Sequence, residues 1–140
     1  MAISALAAVA TAPVQAERLD GPVLADVIEV VDGDTLRVSA RIWPGQTVRV
    51  LVRLRGIDAP ERRARCEAER QAAHRARSAL AALVAGGPVE LRAIGGGKYY
   101  GRVLADIRLA DGGDPARHLL EARLVRPYGK NRRERWCLDD

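Results

Sequence analysis

Two alternating segments and the turn between them constrain the fold of this chain more than any other feature. Apolar residues occupy every second position of residues 36–42 and again of residues 48–54, and Trp43-Pro44-Gly45-Gln46 separates the two runs. Strict alternation is typical of a strand with one buried face, and Pro-Gly between two such runs is typical of a turn. The sequence therefore predicts a β-hairpin of two strands, residues 35–43 and 47–58.

An acidic motif lies at each outer end of this hairpin. Val-Asp-Gly-Asp-Thr occupies residues 31–35, and Arg-Gly-Ile-Asp-Ala-Pro-Glu occupies residues 55–61. Either motif alone is typical of a turn or of a helix entry. Antiparallel pairing about the central turn, however, sets Asp34 beside the second motif, so we expect Asp34 and Asp58 to meet at one end of a sheet.

The rest of the chain predicts three further strands and two helices. The period changes to a helical one after the second acidic motif, and Gly86-Gly87-Pro88 ends that helix. Asp114 followed by Pro115 is typical of the start of a short helix. The predicted strands are residues 24–31, 89–94 and 102–110, and the predicted helices are residues 67–85 and 115–123.

This order of elements indicates a mainly β protein of the α+β class. It predicts a small, partly open five-stranded barrel of the OB type with two to three helices; an open α+β sheet is the alternative. A chain of 140 residues is long enough for one domain with a single core. We assign that domain to residues 17–140, with a core at 24–128 and an extension at 129–140.

The first 16 residues carry no charge and differ from the rest. An apolar stretch runs from Ile3 to Ala12, and Val14-Gln15-Ala16 fits the small-x-small rule for signal-peptidase cleavage, although no Lys or Arg precedes the stretch. We therefore expect a signal peptide at residues 1–16 and an exported protein, periplasmic or secreted. The alternatives are a true start upstream, or a disordered or weakly helical leader. The segment is too short to span a membrane, and we expect no membrane association.

The two cysteines, Cys66 and Cys137, fit an oxidising compartment. An even pair in an exported protein predicts a disulfide, which would tie the end of the chain to the start of the long predicted helix. The alternative is two unrelated small apolar residues.

The charge of the chain favours a polyanionic partner. The net charge is +5 and the sequence pI is near 9.9, with Arg far in excess of Lys. Planar guanidinium groups bind phosphate in a bidentate manner, so nucleic acid is the expected partner. Aromatic residues make up only 4% of the chain, which argues against a broad base-stacking surface.

The two acidic motifs offer oxygen donors suited to a hard cation. Ca²⁺ is bound by carboxylates, backbone carbonyls and water. Asp34, Asp58 and the carbonyl of Ala59 offer three such donors, and Mg²⁺ can use the same set.

Arginines near these donors indicate that the site handles phosphate. Arg53 alternates with apolar neighbours on the polar side of its strand, and Arg102 opens another strand. Positioned guanidinium groups stabilise the negative charge that gathers on a phosphodiester under attack. Glu61, three residues after Asp58, is within reach of a water molecule beside the metal or the substrate.

Three separated motifs resemble the staphylococcal nuclease (thermonuclease) family. They occur in the family's order, and the resemblance covers about residues 24–128. The matching segments are Asp32-Gly33-Asp34-Thr35 followed by Arg53, Asp58-Ala59-Pro60-Glu61, and Tyr100-Gly101-Arg102. The chain departs from the family at Ala59, where Thr is frequent, and at Gly97-Lys98-Tyr99, which replaces the usual Asp-Lys.

The resemblance implies an OB barrel with helices and a role for each matched residue. The implied Ca²⁺ ligands are Asp34, Asp58 and the carbonyl of Ala59. Asp32 is implied to support these ligands without contacting the ion itself. The implied catalytic residues are Glu61 as general base, and Arg53 and Arg102 on the scissile phosphate and its five-coordinate transition state. The implied substrate contacts are Tyr100 on phosphate and Tyr128 stacked on a base.

These inferences together predict an exported, monomeric, Ca²⁺-dependent endonuclease. It would hydrolyse phosphodiester bonds of DNA and RNA, preferring unpaired regions. The first alternative is a catalytically inactive OB-fold module that binds single strands. The second is a structural or adhesive exported protein, which would explain the basic surface but not the three motifs.

Overall fold

The computed structural model of the protein describes residues 17–96, 101–129 and 136–137. The predicted signal peptide at residues 1–16 therefore lies outside the described residues. The strands within the described ranges are β1 (Arg18–Leu19), β2 (Val23–Asp32), β3 (Thr35–Trp43), β4 (Gln46–Leu54), β5 (Ile57–Asp58), β6 (Val89–Gly96), β7 (Arg102–Arg108) and β8 (Arg126–Pro127). The helices there are α1 (Glu67–Val84) and α2 (Pro115–Glu121).

Five strands close into a barrel. They follow the order β6-β2-β3-β4-β7, and an antiparallel pairing of β6 with β7 joins the two edges. All these pairings are antiparallel except that of β4 with β7, which is parallel. The predicted OB-type, mainly β fold class is confirmed, and the closure of the barrel rules out the open sheet.

The central hairpin has the register that its alternation predicts. Leu36 pairs with Val52 across β3 and β4, and Thr35 pairs with Arg53. The alternating apolar residues far from the hairpin turn point into the barrel, where Leu36, Val38 and Val52 are fully buried, whereas Ile42 and Val48 beside the turn are exposed. Since the pairing is antiparallel, the start of β3 lies beside the end of β4, as the sequence predicts.

The predicted strand at 47–58 is divided in two by a turn at Arg55 and Gly56. Gly56 has a φ of +85°, in the left-handed region that favours glycine, so the chain leaves the barrel here. The short strand β5 that follows pairs with β8 in a separate two-stranded sheet, in which Asp58 lies opposite Arg126. Neither β8 nor the two-residue β1 is predicted from the sequence.

The two helices cover one side of the barrel. Apolar residues of α1, such as Ala76, Leu80 and Val84, belong to the barrel core. Asp114 caps α2, as predicted, by accepting a hydrogen bond from the backbone nitrogen of Arg117. Neither helix of the described residues has the length and apolar character needed to cross a membrane.

The predicted disulfide between Cys66 and Cys137 is present. It joins Cys66, the residue that precedes α1, to Cys137, and the Cα atoms of the two cysteines are 5.9 Å apart. The two partners are 71 residues apart in sequence. Closing a loop of that length stabilises a fold by about 4 kcal/mol on the chain-entropy account.

Candidate metal and phosphate site

Asp34 is one of two polar or charged residues buried within the described ranges, at 7% exposure. It is the second residue of the tight turn between β2 and β3, and its carboxylate accepts three hydrogen bonds. Oδ1 accepts from the hydroxyl of Thr35 at 2.8 Å, and Oδ2 accepts from the backbone nitrogen of Ala59 at 2.9 Å and from Arg53 at 3.4 Å. Asp34 therefore links the β2–β3 turn to the second acidic motif.

Arg53 brings the two predicted metal ligands together. Its Nη2 atom donates to Oδ2 of Asp34 at 3.4 Å and to Oδ1 of Asp58 at 3.0 Å, while Nη1 donates to the carbonyl oxygen of Ile57 at 3.1 Å. Its side chain is only 19% exposed. Both carboxylates thus lie within hydrogen-bonding distance of the same nitrogen atom, at the end of the hairpin where the sequence places them.

Tyr128 forms one wall of this site. Its ring centroid lies 5.2 Å from the guanidinium carbon of Arg53, which is a cation–π distance. The backbone nitrogen of Tyr128 donates to the carbonyl oxygen of Gly56, so the turn after β4 holds the tyrosine in place. At 68% exposure, the ring presents a large free surface beside the arginine.

Glu61 lies on the segment that connects β5 to α1, and the residue is exposed. Its backbone nitrogen donates to Oε1 of Glu69 in α1 at 3.2 Å. The next residue, Arg62, forms an ion pair of 2.8 Å with Asp32. Asp32 therefore anchors the segment that carries Glu61, and it has no ion pair to Arg53 in the described part of the chain.

Arg102 lies on the same barrel face as Arg53. It pairs with Leu51, two residues before Arg53, across the parallel β4–β7 ladder. Strand spacing and rise place the Cα atoms of the two arginines about 8 Å apart. Arg102 is partly buried and forms no ion pair with the residues that the structure describes. Tyr100, the predicted phosphate contact, lies outside the described residues.

The donor set at this end of the barrel fits Ca²⁺. Asp58 is half-exposed and uses one carboxylate oxygen for Arg53, and Oδ1 of Asp34 accepts only the Thr35 hydroxyl among the described residues. Each carboxylate oxygen has about two acceptor positions, so both side chains keep capacity for a cation. Two carboxylates and a backbone carbonyl, that of Ala59, are hard oxygen donors of the kind that this ion prefers.

A second group of potential ligands lies at the start of α1, where Cys66, Glu69 and Cys137 offer atoms within 4.8 Å of one another. The two sulfur atoms are bonded to each other, and only a thiolate is a strong metal ligand. One carboxylate then remains, so this group is not a Ca²⁺ site.

Close packing of Gly33 against α1 sets the position of the β2–β3 turn. A Cβ atom on Gly33 would lie 2.6 Å from the Cβ of Ala76 and 3.2 Å from that of Ala59. Gly33→Ala therefore forces the helix and the turn apart, and we expect it to lower the free energy of unfolding by about 1–3 kcal/mol. Chemical denaturation measures this value.

The matched control is Gly86→Ala, at the end of α1, where an added Cβ has nothing within 4 Å. This substitution should change the free energy of unfolding by less than about 0.5 kcal/mol. Equal effects of the two substitutions would show that Gly33 is not a packing constraint.

Sequence reasoning missed two residues near the site, Arg62 and Glu69. Both hold the segment that carries Glu61, through Asp32 and through a backbone nitrogen respectively. A glutamate at the third position of a helix typically accepts from the backbone N–H of the N-cap residue, so the sequence gives no signal that Glu69 accepts from Glu61 instead. Arg62 is one of several exposed arginines that could pair with the same carboxylates.

The fold and the site define a small closed β-barrel with an acidic, arginine-bearing end. No protein-family model matches this sequence, and no curated protein matches it either.

Proposed function

We propose that this protein is an exported, Ca²⁺-dependent nuclease that hydrolyses phosphodiester bonds of DNA and RNA. One observation carries the proposal: two carboxylates from separate parts of the chain touch the same arginine nitrogen. A cation and a phosphate can both be bound where carboxylates and a guanidinium group share one end of a barrel. The disulfide supports the exported location, because structural disulfides persist in oxidising compartments.

In the proposed mechanism, Asp34, Asp58 and the carbonyl of Ala59 hold Ca²⁺. The bound ion would supply a Lewis acid that polarises a phosphate oxygen and offsets its charge.

Arg53 is suited to hold the scissile phosphate. Three of its five N–H groups donate to Asp34, Asp58 and the carbonyl of Ile57. The other two have no acceptor among the described residues, so they are free to donate to phosphate oxygens. Arg102, on the same face about 8 Å away, adds a second guanidinium group that stabilises the charge of the five-coordinate transition state.

Glu61 acts as the general base in this proposal. Its exposed carboxylate takes the proton of the attacking water as the new P–O bond forms and the bond to the leaving oxygen breaks. The resemblance noted above implies that the product carries a 3′-phosphate end. The exposed ring of Tyr128 beside Arg53 offers a surface on which an unpaired base can stack.

A cleavage assay tests the proposal. Denatured DNA is incubated with the protein and either Ca²⁺ or a Ca²⁺ chelator, and cleavage is expected only with Ca²⁺. Glu61→Gln should lower turnover by about 10²–10⁴-fold, because the proton acceptor is removed. Glu29→Gln, at a half-exposed glutamate of β2, is the matched control and should leave turnover unchanged.

The assay also separates the proposal from the binding-module alternative. If the protein retards single-stranded DNA on a gel but cleaves none in the presence of Ca²⁺, it is a nucleic-acid-binding module and not an enzyme.

A further inference from the structure

The segment that carries Glu61 ends at Cys66, which a disulfide joins to Cys137. We propose that the Cys66–Cys137 disulfide, acting through Glu69, positions Glu61, so that reduction of the disulfide switches the enzyme to a low-activity state. The consequence for activity rests on the proposed function, whereas the restraint on the segment does not.

Residues 59–66 have no helix or strand of their own and depend on tethers. The backbone nitrogen of Glu61 donates to Oε1 of Glu69, and Arg62 pairs with Asp32. Pro60 is buried, but the residues from Glu61 to Cys66 are exposed or partly exposed and are held by a few side-chain contacts, so this stretch opens locally at low cost in free energy. The position of Glu61 therefore depends on how firmly Glu69 is held.

Glu69 is the third residue of α1, whose first turn has no side-chain cap. Cys66 occupies the N-cap position with an extended backbone, and its side chain accepts no hydrogen bond from the helix. Free N–H groups in the first turn are ordinarily satisfied by a Ser, Thr, Asp or Asn at that position. Here Cys66 provides a covalent restraint instead, through its bond to Cys137.

The disulfide and Glu61 contact the same carboxylate. The sulfur of Cys137 lies 3.7 Å from Oε2 of Glu69, while Oε1 accepts the hydrogen bond from Glu61. Glu69 is thus in contact with the disulfide on one side and with the backbone of Glu61 on the other.

Trp136, the residue before Cys137, contacts the strand that pairs with Asp58. The ring of Trp136 lies 4.0 Å from the guanidinium carbon of Arg126, a cation–π contact. Arg126 belongs to β8 and pairs with Asp58 of β5. The disulfide therefore connects the start of α1 to the small sheet that contains a proposed metal ligand, and residues 59–66 run between these two anchors.

The chemistry of the switch is thiol–disulfide exchange. A dithiol reductant gives two electrons and two protons, the bond between the two sulfur atoms breaks, and Cys66 and Cys137 become thiols while the reductant becomes a disulfide. A protein or small-molecule disulfide reverses the step. Both cysteines are partly exposed, so the exchange has access to them. The enzyme would then be of low activity in a reducing compartment and active after export.

Limited proteolysis with trypsin tests the restraint without using nuclease activity. The segment contains three exposed arginines, Arg62, Arg63 and Arg65, at which trypsin can cleave. The full chain is digested in its oxidised form, after treatment with a dithiol, and as the Cys66→Ala/Cys137→Ala variant. Alanine is used at position 66 because serine would add the missing helix cap. Mass spectrometry after complete reduction assigns each cut.

We expect cleavage at these arginines to rise by about tenfold or more on reduction and to precede cleavage at Arg37 and Arg53, which lie in the barrel strands and are cut only when the whole domain unfolds. Equal cleavage of the segment in both redox states would overturn the proposal. Cleavage of the segment and of the barrel sites at equal rates after reduction would overturn it as well, since the disulfide would then act only through the stability of the whole fold.

Substitutions of Glu69 test the second link while the disulfide stays intact. Glu69→Ala should lower kcat by about ten- to a hundredfold, because Glu61 loses its tether, without changing the Ca²⁺ concentration for half-maximal activity. Glu69→Gln keeps an acceptor oxygen and should restore most of the activity. Glu121→Ala, at an exposed glutamate of α2, is the control. Unchanged kcat in Glu69→Ala would overturn the proposed link.

The two proposals can fail separately. If no form of the protein cleaves DNA, the proposed function is wrong, and the proteolysis pattern alone then decides whether the disulfide restrains the segment.

Discussion

Replacing Asp34 by Asn is expected to lower DNA cleavage by more than 100-fold and to destabilise the fold. The carboxylate is buried and accepts three hydrogen bonds, two of them on Oδ2. An amide of the same shape can keep its oxygen toward the Ala59 N–H and Arg53 and donate to the Thr35 hydroxyl, which can turn, but it lacks the negative charge that pairs with the largely buried Arg53. Loss of a hydrogen bond between charged groups costs about 1–3 kcal/mol, which thermal or chemical denaturation measures.

The matched control for this change is Asp26→Asn. Asp26 lies on β2, is half-exposed and forms an ion pair with Arg41 on the neighbouring strand. Exposed pairs of this kind contribute about 0–1 kcal/mol, and Asp26 is not part of the proposed site. If the two substitutions had the same effect on cleavage and on stability, Asp34 would have no special role.

Replacing Arg53 by Ala is the second change with a large expected effect. The substitution removes the guanidinium group that joins Asp34 and Asp58, together with the hydrogen bond to Ile57 and the contact with Tyr128. Loss of a donor aimed at the transition state lowers turnover by about 10²–10³-fold. Two neighbouring carboxylates without their cation also destabilise the fold, which we estimate at about 1–3 kcal/mol.

Addition of Ca²⁺ separates the two roles of Arg53. The ion brings positive charge to the same two carboxylates, so it should raise the Tm of Arg53→Ala by more than it raises the Tm of the wild type, while cleavage stays low. The control is Arg37→Ala, which removes a half-exposed arginine paired with Glu29 and should have little effect on Tm or cleavage. Recovery of cleavage by Ca²⁺ in Arg53→Ala would show that the arginine acts only as a structural counter-ion.

The central hairpin shows how far the sequence determines this fold. Its alternation has a period of two, and the turn at Pro44 and Gly45 fixes the register, so Thr35 opposite Arg53 follows from local rules alone. The meeting of Asp34 with the second acidic motif is a consequence of that register. The backbone nitrogen of Leu54 donates to the carbonyl oxygen of Asp34, which joins the two ends directly.

The closure of the barrel does not follow from local rules. The parallel pairing of β4 with β7 joins residues about fifty positions apart, and only the burial of both inner faces selects it. The same holds for β5 and β8, which are two residues long and too short to show a periodicity. The turn at Gly56 cannot be predicted from the sequence, because the φ angle of a glycine within an alternating segment does not follow from its neighbours.

Some residues of the site can likewise be predicted from the sequence and others cannot. Its carboxylates and Arg53 were predicted together because short motifs and one hairpin bring them together. Arg62 and Glu69, which hold the segment of Glu61, were not predicted. Several exposed charges of each sign compete for partners, and three-dimensional proximity decides among them. Roles that depend on a metal or a substrate, such as those of Glu61 and Arg102, remain predictions.

Calcium titration by calorimetry tests the central claim most directly. We expect the wild-type protein to bind one Ca²⁺ per chain. Asp34→Asn and Asp58→Asn should each lower the affinity for Ca²⁺ by at least about ten- to a hundredfold, which is the effect typical of changes beside a metal. Asp26→Asn should bind Ca²⁺ like the wild type. A wild-type protein that binds no Ca²⁺, or binding that both site variants retain in full, would contradict the account.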